Sequence, residues 1–207
     1  TMEGYKKKAE ETLTLVKGLV KTIDGFTETN TGIDGVKGYT KPMEGSYISC
    51  FRAETTIDAP PKQIRDQLWE YKKDQWNVDG SLLEWEVLET SEDGKLRIVH
   101  QVASMPWPIW NRDACVLNYA YDDPDGSSML VISSVEHPKA PKKPTELIRA
   151  ICTFSVYHFE PIEDGKKSRA TRVVHVDPSG SIPAMVVNMK ATVVWRFKEN
   201  IIAHMKK

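Results

Sequence analysis

The sequence predicts an α+β fold in which one curved antiparallel sheet wraps around a long C-terminal helix. Three observations lead there. Between residues 82 and 177, apolar and polar side chains alternate in one run after another. Turn signals at Asp93-Gly94, Asp122–Gly126 and Asp164-Gly165 punctuate those runs, as antiparallel hairpins require. From Ile182 onward the spacing changes to helical, with an unusually wide apolar stripe.

The elements follow in order. Glu3 to Val20 carries Leu13, Val16, Leu19 and Val20 on one face of a Lys/Glu-rich segment, an N-terminal helix over about 3–22. Residues 24–46 hold Gly25, Gly32, Gly35, Gly38 and Gly45 and read as loop with at most short strands. Tyr47 to Asp58 is a strand with Tyr47, Phe51 and Ile57 in one register. Asp58-Ala59-Pro60-Pro61 opens a helix carrying Ile64, Leu68 and Tyr71, because proline suits a first turn whose N–H is unpaired anyway. Leu83, Trp85 and Val87 alternate with Glu84 and Glu86 in the next strand. Strands over Lys95–Met105, Asn111–Tyr121, Ser127–Val135, Glu146–Phe159 and Ser168–Asp177 complete the meander. Ser181 can cap the last helix, with Pro183 in its first turn. Its stripe is Ile182, Val186, Met189, Val193, Phe197 and Ile201, widened by Met185, Val194, Ile202 and Met205.

Composition narrows the function. A chain of 207 residues fits one domain, 1–207, with its core from about residue 45. Lys plus Arg is 28 and Asp plus Glu is 29, so the formal charge of −1 gives no global grip on nucleic acid. Cys50, Cys115 and Cys152 are too scattered for a disulfide framework or a CxxC motif, which fits a reducing compartment. No apolar run approaches the ~18 residues of a membrane span, and the first residues lack the apolar stretch of a signal peptide. The five histidines show no metal spacing, and no G-x-S-x-G elbow occurs. Gly165-Lys166-Lys167-Ser168 imitates the end of a P-loop, but the first glycine is missing and no helix follows. The basic run Lys139–Lys143 reads as a solvated loop, with contact to anionic lipid head groups as its alternative. No cofactor and no metal is expected.

Five segments carry a family resemblance. They are Thr56–Pro61 at the strand-to-helix junction, Gln75-Trp76-Asn77, Pro106–Asp113, Ile148-Arg149-Ala150, and Val176–Pro183 before the last helix. In this order and on these elements, the sequence resembles the START family, the steroidogenic-acute-regulatory-related lipid-transfer domains. The stretch Pro106–Asp113 is most similar to that of the phosphatidylcholine transfer protein and its relatives.

The resemblance implies a helix-grip fold with an internal tunnel for one lipid, such as a phospholipid, a sterol or a ceramide-like molecule. It implies non-catalytic binding and transfer of that lipid between membranes by a cytoplasmic monomer that touches membranes transiently. The alternatives are an enzyme on the same fold, a hydrolase or cyclase, and a lipid-sensing interaction module. Sterol-binding members often place an acid where Gln101 stands. The arginine that meets phosphate in the phosphatidylcholine-type relative falls at Lys73 and its neighbouring aspartate at Asn77. Aromatics that box the choline there are replaced by Met185, Met189 and Val174.

On its strand Arg112 shares a face with Ala114, Val116 and Asn118, and Gln101, Ala103 and Met105 share one on the strand before. Small side chains on both leave room for a ligand. The expected binding set is Arg112, Gln101, Lys73, Asn77, Ala103, Ala114, Val116, Met185, Val186, Met189 and Val193. Arg112 is expected to meet a lipid group, the alternative being a structural pair with a neighbouring carboxylate. Met105, Trp107, Ile109 and Trp110 form the expected membrane gate, since tryptophan favours the membrane–water interface. The alternative is a pair of core tryptophans under a tight loop.

Overall fold

A computed structural model describes residues 1–205, with side chains throughout except at 184, 185 and 188–191. Helix α1 (Met2–Val20) starts at Thr1, whose hydroxyl accepts from the Gly4 N–H. Strands β1 (Thr27–Thr29), β2 (Lys37–Lys41) and β3 (Cys50–Ile57) follow. Helices α2 (Pro61–Glu70) and α3 (Lys73–Trp76) lead into β4 (Leu82–Thr90), β5 (Leu96–Ala103), β6 (Arg112–Asp122) and β7 (Ser128–Ser134). The chain continues through β8 (Ile148–Arg149), β9 (Ile151–Ile162), β10 (Lys167–Asp177), α4 (Ala184–Trp195) and α5 (Phe197–Ala203).

The strands form one sheet in the order β1-β2-β3-β10-β9-β7-β6-β5-β4, antiparallel throughout, with β8 running parallel to β6 at Arg112 and Asp113. Alternation assigns its two faces. On the outer face, Phe154, Val156 and Val173 pack against Leu13, Val16 and Val20 of α1. Burying each such side chain stabilises the fold by about 1.5–3 kcal/mol. On the inner face, Val99, Ala114, Val116 and Cys152 look toward α4. One end of the inner space is plugged by Ile64 and Leu68 of α2, Phe197 and Ile201 of α5, and Trp195.

The predicted sheet and C-terminal helix are present, with differences in detail. Strand β4 does not alternate simply: Leu83 and Val87 are exposed, Trp85 faces the cavity side, and Leu88 packs on the opposite face with Leu96, Ile98 and Tyr5. Register shifts between Leu82 and Glu84 and between Val87 and Glu89 insert an extra residue each and reset which side chains face inward. Strand β3 begins at Cys50, leaving Tyr47 exposed outside the ladder. The final helix starts at Ala184 with Pro183 in the N-cap position, and Ser181 makes no cap. It is also two helices. Trp195 and Phe197 both enter the plug, but two residues on one α-helix stand about 200° apart. The turn at Arg196, with φ −85° and ψ 7°, brings both rings to the same side.

Candidate functional site

Between the inner face of the sheet and α4 lies a cavity of about 410 Å³, inside the ~300–1,000 Å³ span of small-molecule sites. β5 contributes Val99, Gln101 and Ala103; β6 contributes Arg112, Ala114, Val116 and Asn118; β10 contributes Arg172, Val174 and Val176. Phe51, Ile132 and Trp85 extend the sheet wall, and Val186, Val187, Val193 and Val194 line it from α4. Alternation on antiparallel strands produces this convergence. Ala103 opposes Arg112, Gln101 opposes Ala114, and Val99 opposes Val116, so small and medium side chains pair across the ladder.

The cavity has two distinct ends. At one, the loop 104–111 carries Met105 and Ile109 half-buried, Trp110 52% exposed and Trp107 92% exposed. The Trp107-Pro108 peptide is cis. The loop is tied down by Ser104 N–H to the Ser81 carbonyl at 2.8 Å and by Met105 N–H to Asn111 Oδ1 at 3.2 Å. The other end is closed by the plug, where Tyr157 stands beside Trp76.

Arg112 belongs to the loop end, where three of its five N–H donors go to backbone carbonyls. Nε donates to the Pro178 carbonyl, Nη1 to the Trp110 carbonyl, and Nη2 to the Ser179 carbonyl at 2.9 Å. The left-handed turn at Ser179 (φ 57°) and Gly180 (φ 70°) presents those carbonyls, and Asp177 Oδ1 steadies it by accepting from the Ser179 N–H at 2.7 Å. Next to it, Arg149 grips Asp113 with Nε to Oδ1 at 2.9 Å and Nη2 to Oδ2 at 2.7 Å, and His100 Nε2 lies 3.0 Å from Oδ2. Burial works to raise the Asp113 pKa, but the bonds from Arg149 and His100 outweigh it and hold the carboxyl below its usual range.

Other polar groups face the middle and the closed end. Asn118 is buried, and its Oδ1 has no hydrogen-bond partner among the described residues. Behind it, Arg97 opposes Asn118 on β5 and stacks on the rings of Trp69 at 4.4 Å and Trp85 at 5.2 Å. Burial pushes its pKa down to about 10. Arg172 lies over the Tyr157 ring at 3.8 Å.

Of the residues expected at the site, Gln101, Ala103, Met105, Arg112, Ala114, Val116, Val174, Val186 and Val193 line the cavity. Lys73 and Asn77 do not; Asn77 Oδ1 instead accepts from the Leu82 N–H at 2.8 Å and closes the turn after α3. The side chains of Met185 and Met189 lie outside the described residues. Arg112 gives three of its donors to backbone carbonyls and pairs with no carboxylate among the described residues. Arg172, Tyr157 and Ser155 were not anticipated. The signal was present in β10, where Arg172 shares the inner register with Val174 and Val176 and is the one charge in that row.

The sequence profile of the START domain matches residues 32–195. Human StAR-related lipid transfer protein 13 is 29% identical over 183 residues, 88% of this chain and 15% of that protein. Human StAR-related lipid transfer protein 7, mitochondrial, is 32% identical over 117 residues, 55% of this chain and 30% of that protein. The chain spans between 11% and 43% of the length of the curated relatives it matches. Among solved structures, human StAR-related lipid transfer protein 5 superposes with a TM-score of 0.81 at 17% identity, covering 98% of this chain and 99% of that one. That likeness establishes the fold.

Proposed function

This chain belongs to the START domain family, and from that premise we propose that it holds one lipid in the cavity and transfers it between membranes. The observation that carries the reading is an apolar cavity lying between the sheet and α4, with Met105 of a tryptophan-bearing loop in its lining. A lipid tail gains free energy by leaving water for such a lining. Loop 104–111, with Met105, Trp107, Ile109 and Trp110, is the proposed gate. Trp107 at 92% exposure stands where a bilayer interface could take it up.

A carrier is favoured over a hydrolase by the state of the buried acid; the other carboxylate of the lining, Asp79, is exposed. Asp113, the buried carboxylate of the lining, is occupied by Arg149 and His100. It therefore has no proton to give and no base strength to spare. Gln101, Asn118, Ser155 and Tyr157 remain as neutral polar contacts for a head group.

The test is transfer itself. Donor vesicles carrying fluorescent lipids are mixed with acceptor vesicles, with and without the protein. Native mass spectrometry then weighs the protein after exposure to the same vesicles. One lipid bound per chain and faster exchange are expected. A protein that emerges empty and leaves exchange unchanged overturns the proposal.

A further inference from the structure

The closed end of the cavity holds a cation with no countercharge among the described residues. Arg172 projects from β10 opposite Tyr157 on β9 and Ala53 on β3, both part of the plug. Its guanidinium rests on the Tyr157 ring at 3.8 Å, and Nη1 donates to the Val156 carbonyl at 3.3 Å. Among the described residues no carboxylate lies within ion-pair distance of it, and the side chains outside the description include no acid. Nε and Nη2 make no hydrogen bond among the described residues. Arg112, at the far end, spends its donors on three carbonyls; Arg172 spends one.

We infer that Arg172 is the receptor for the anionic group of a single-tailed lipid, bound with its charged end toward the plug. The inference rests on the lipid-carrier reading above. An unpaired charge facing an apolar space is costly. An incoming anion removes that cost and meets a planar fork matched to carboxylate or phosphate oxygens. The low-dielectric wall strengthens the attraction relative to water. The hydroxyls of Tyr157 and Ser155 border the same space and can donate as well. A cationic head group is disfavoured there by the same charge. The cavity volume of about 410 Å³ sits near the lower end of the ~300–1,000 Å³ span and suits one tail rather than two.

The experiment compares three probes that share an oleoyl or oleyl tail: oleate, oleyl alcohol and 1-oleoyl lysophosphatidate. They are titrated by calorimetry at mildly alkaline pH into the parent and into Arg172→Met and Arg172→Gln. The parent is expected to bind at least one anion about tenfold or more tightly than oleyl alcohol, equivalent to ~1.4 kcal/mol. In both variants the advantage of the anion over oleyl alcohol should disappear. Whichever anion shows the larger Arg172-dependent gain identifies the group as carboxylate or phosphate. If oleyl alcohol binds and neither anion gains in the parent, the inference falls and the carrier reading stands. A gain that survives both substitutions also overturns it. If none of the probes binds, the inference falls, and the vesicle-transfer test decides the carrier reading. Should Arg172→Met fail to fold, Arg172→Gln and the parent's own preference still decide.

Discussion

Arg112 Nη2 donates to the Ser179 carbonyl at 2.9 Å and so fastens the start of β6 to the turn that precedes α4. With Nε on Pro178 and Nη1 on Trp110, one buried side chain joins the loop end of the sheet, the gate loop and the last junction. Its role is mechanical. Arg112→Met should leave these carbonyls short of donors and destabilise the protein by about 2–4 kcal/mol, since each buried group left unpaired costs ~1–3 kcal/mol and some will find water. Urea unfolding measures this. An unchanged midpoint would show that the carbonyls are satisfied without it.

How far the sequence reaches can be judged from particular residues. The hairpin turns at Gly94, Gly126 and Gly165 were legible because each has positive φ, which glycine adopts without strain. Ala103 and Ala114 were legible as cavity wall because alternation on neighbouring strands is a local rule. The packing of Leu88 on the face opposite Trp85 was not, because two register shifts in β4 depend on its partner strand. Nor was the break at Arg196, which arises from where Trp195 and Phe197 must pack and leaves no proline or glycine to mark it. Arg112 was legible as inward-facing, but two of the three carbonyls that engage it come from residues 66 and 67 positions away. That engagement is a tertiary fact.

The gate loop separates function from stability. Trp107 is 92% exposed, so Trp107→Ala should change unfolding free energy by no more than ~0.5 kcal/mol. The same substitution should slow lipid exchange between vesicles several-fold. Exchange at the parent's rate would remove Trp107 from the gate. A large loss of stability would mean the ring is packed in solution.

The cavity can be tested by filling it. Ala114 lines it from β6, opposite Gln101. In a close-packed interior an added ring costs ~1–3 kcal/mol through overpacking. Here Ala114→Phe has open space to enter, so its unfolding midpoint should stay close to the parent's while lipid uptake falls by at least about tenfold. A variant that melts early and still takes up lipid would place the ligand elsewhere.

The outer face supplies a pH dependence. His158 is 4% exposed on β9, between Met129 of β7 and Thr171 of β10. Burial pulls its pKa below the usual histidine value; Glu160 and Asp125 push the other way, and Lys21 and Arg52 add to the lowering. The sign then follows from linkage. A histidine whose folded pKa is depressed binds fewer protons folded than unfolded between the two values, so stability rises with pH across that window. Its contribution is complete above the unfolded value of ~6.5 and is lost as pH falls from there toward the folded pKa. Urea midpoints measured from about pH 5 to 7.5 should therefore climb, and His158→Gln should flatten the climb. If the variant keeps the parent's slope, the protons are taken up elsewhere.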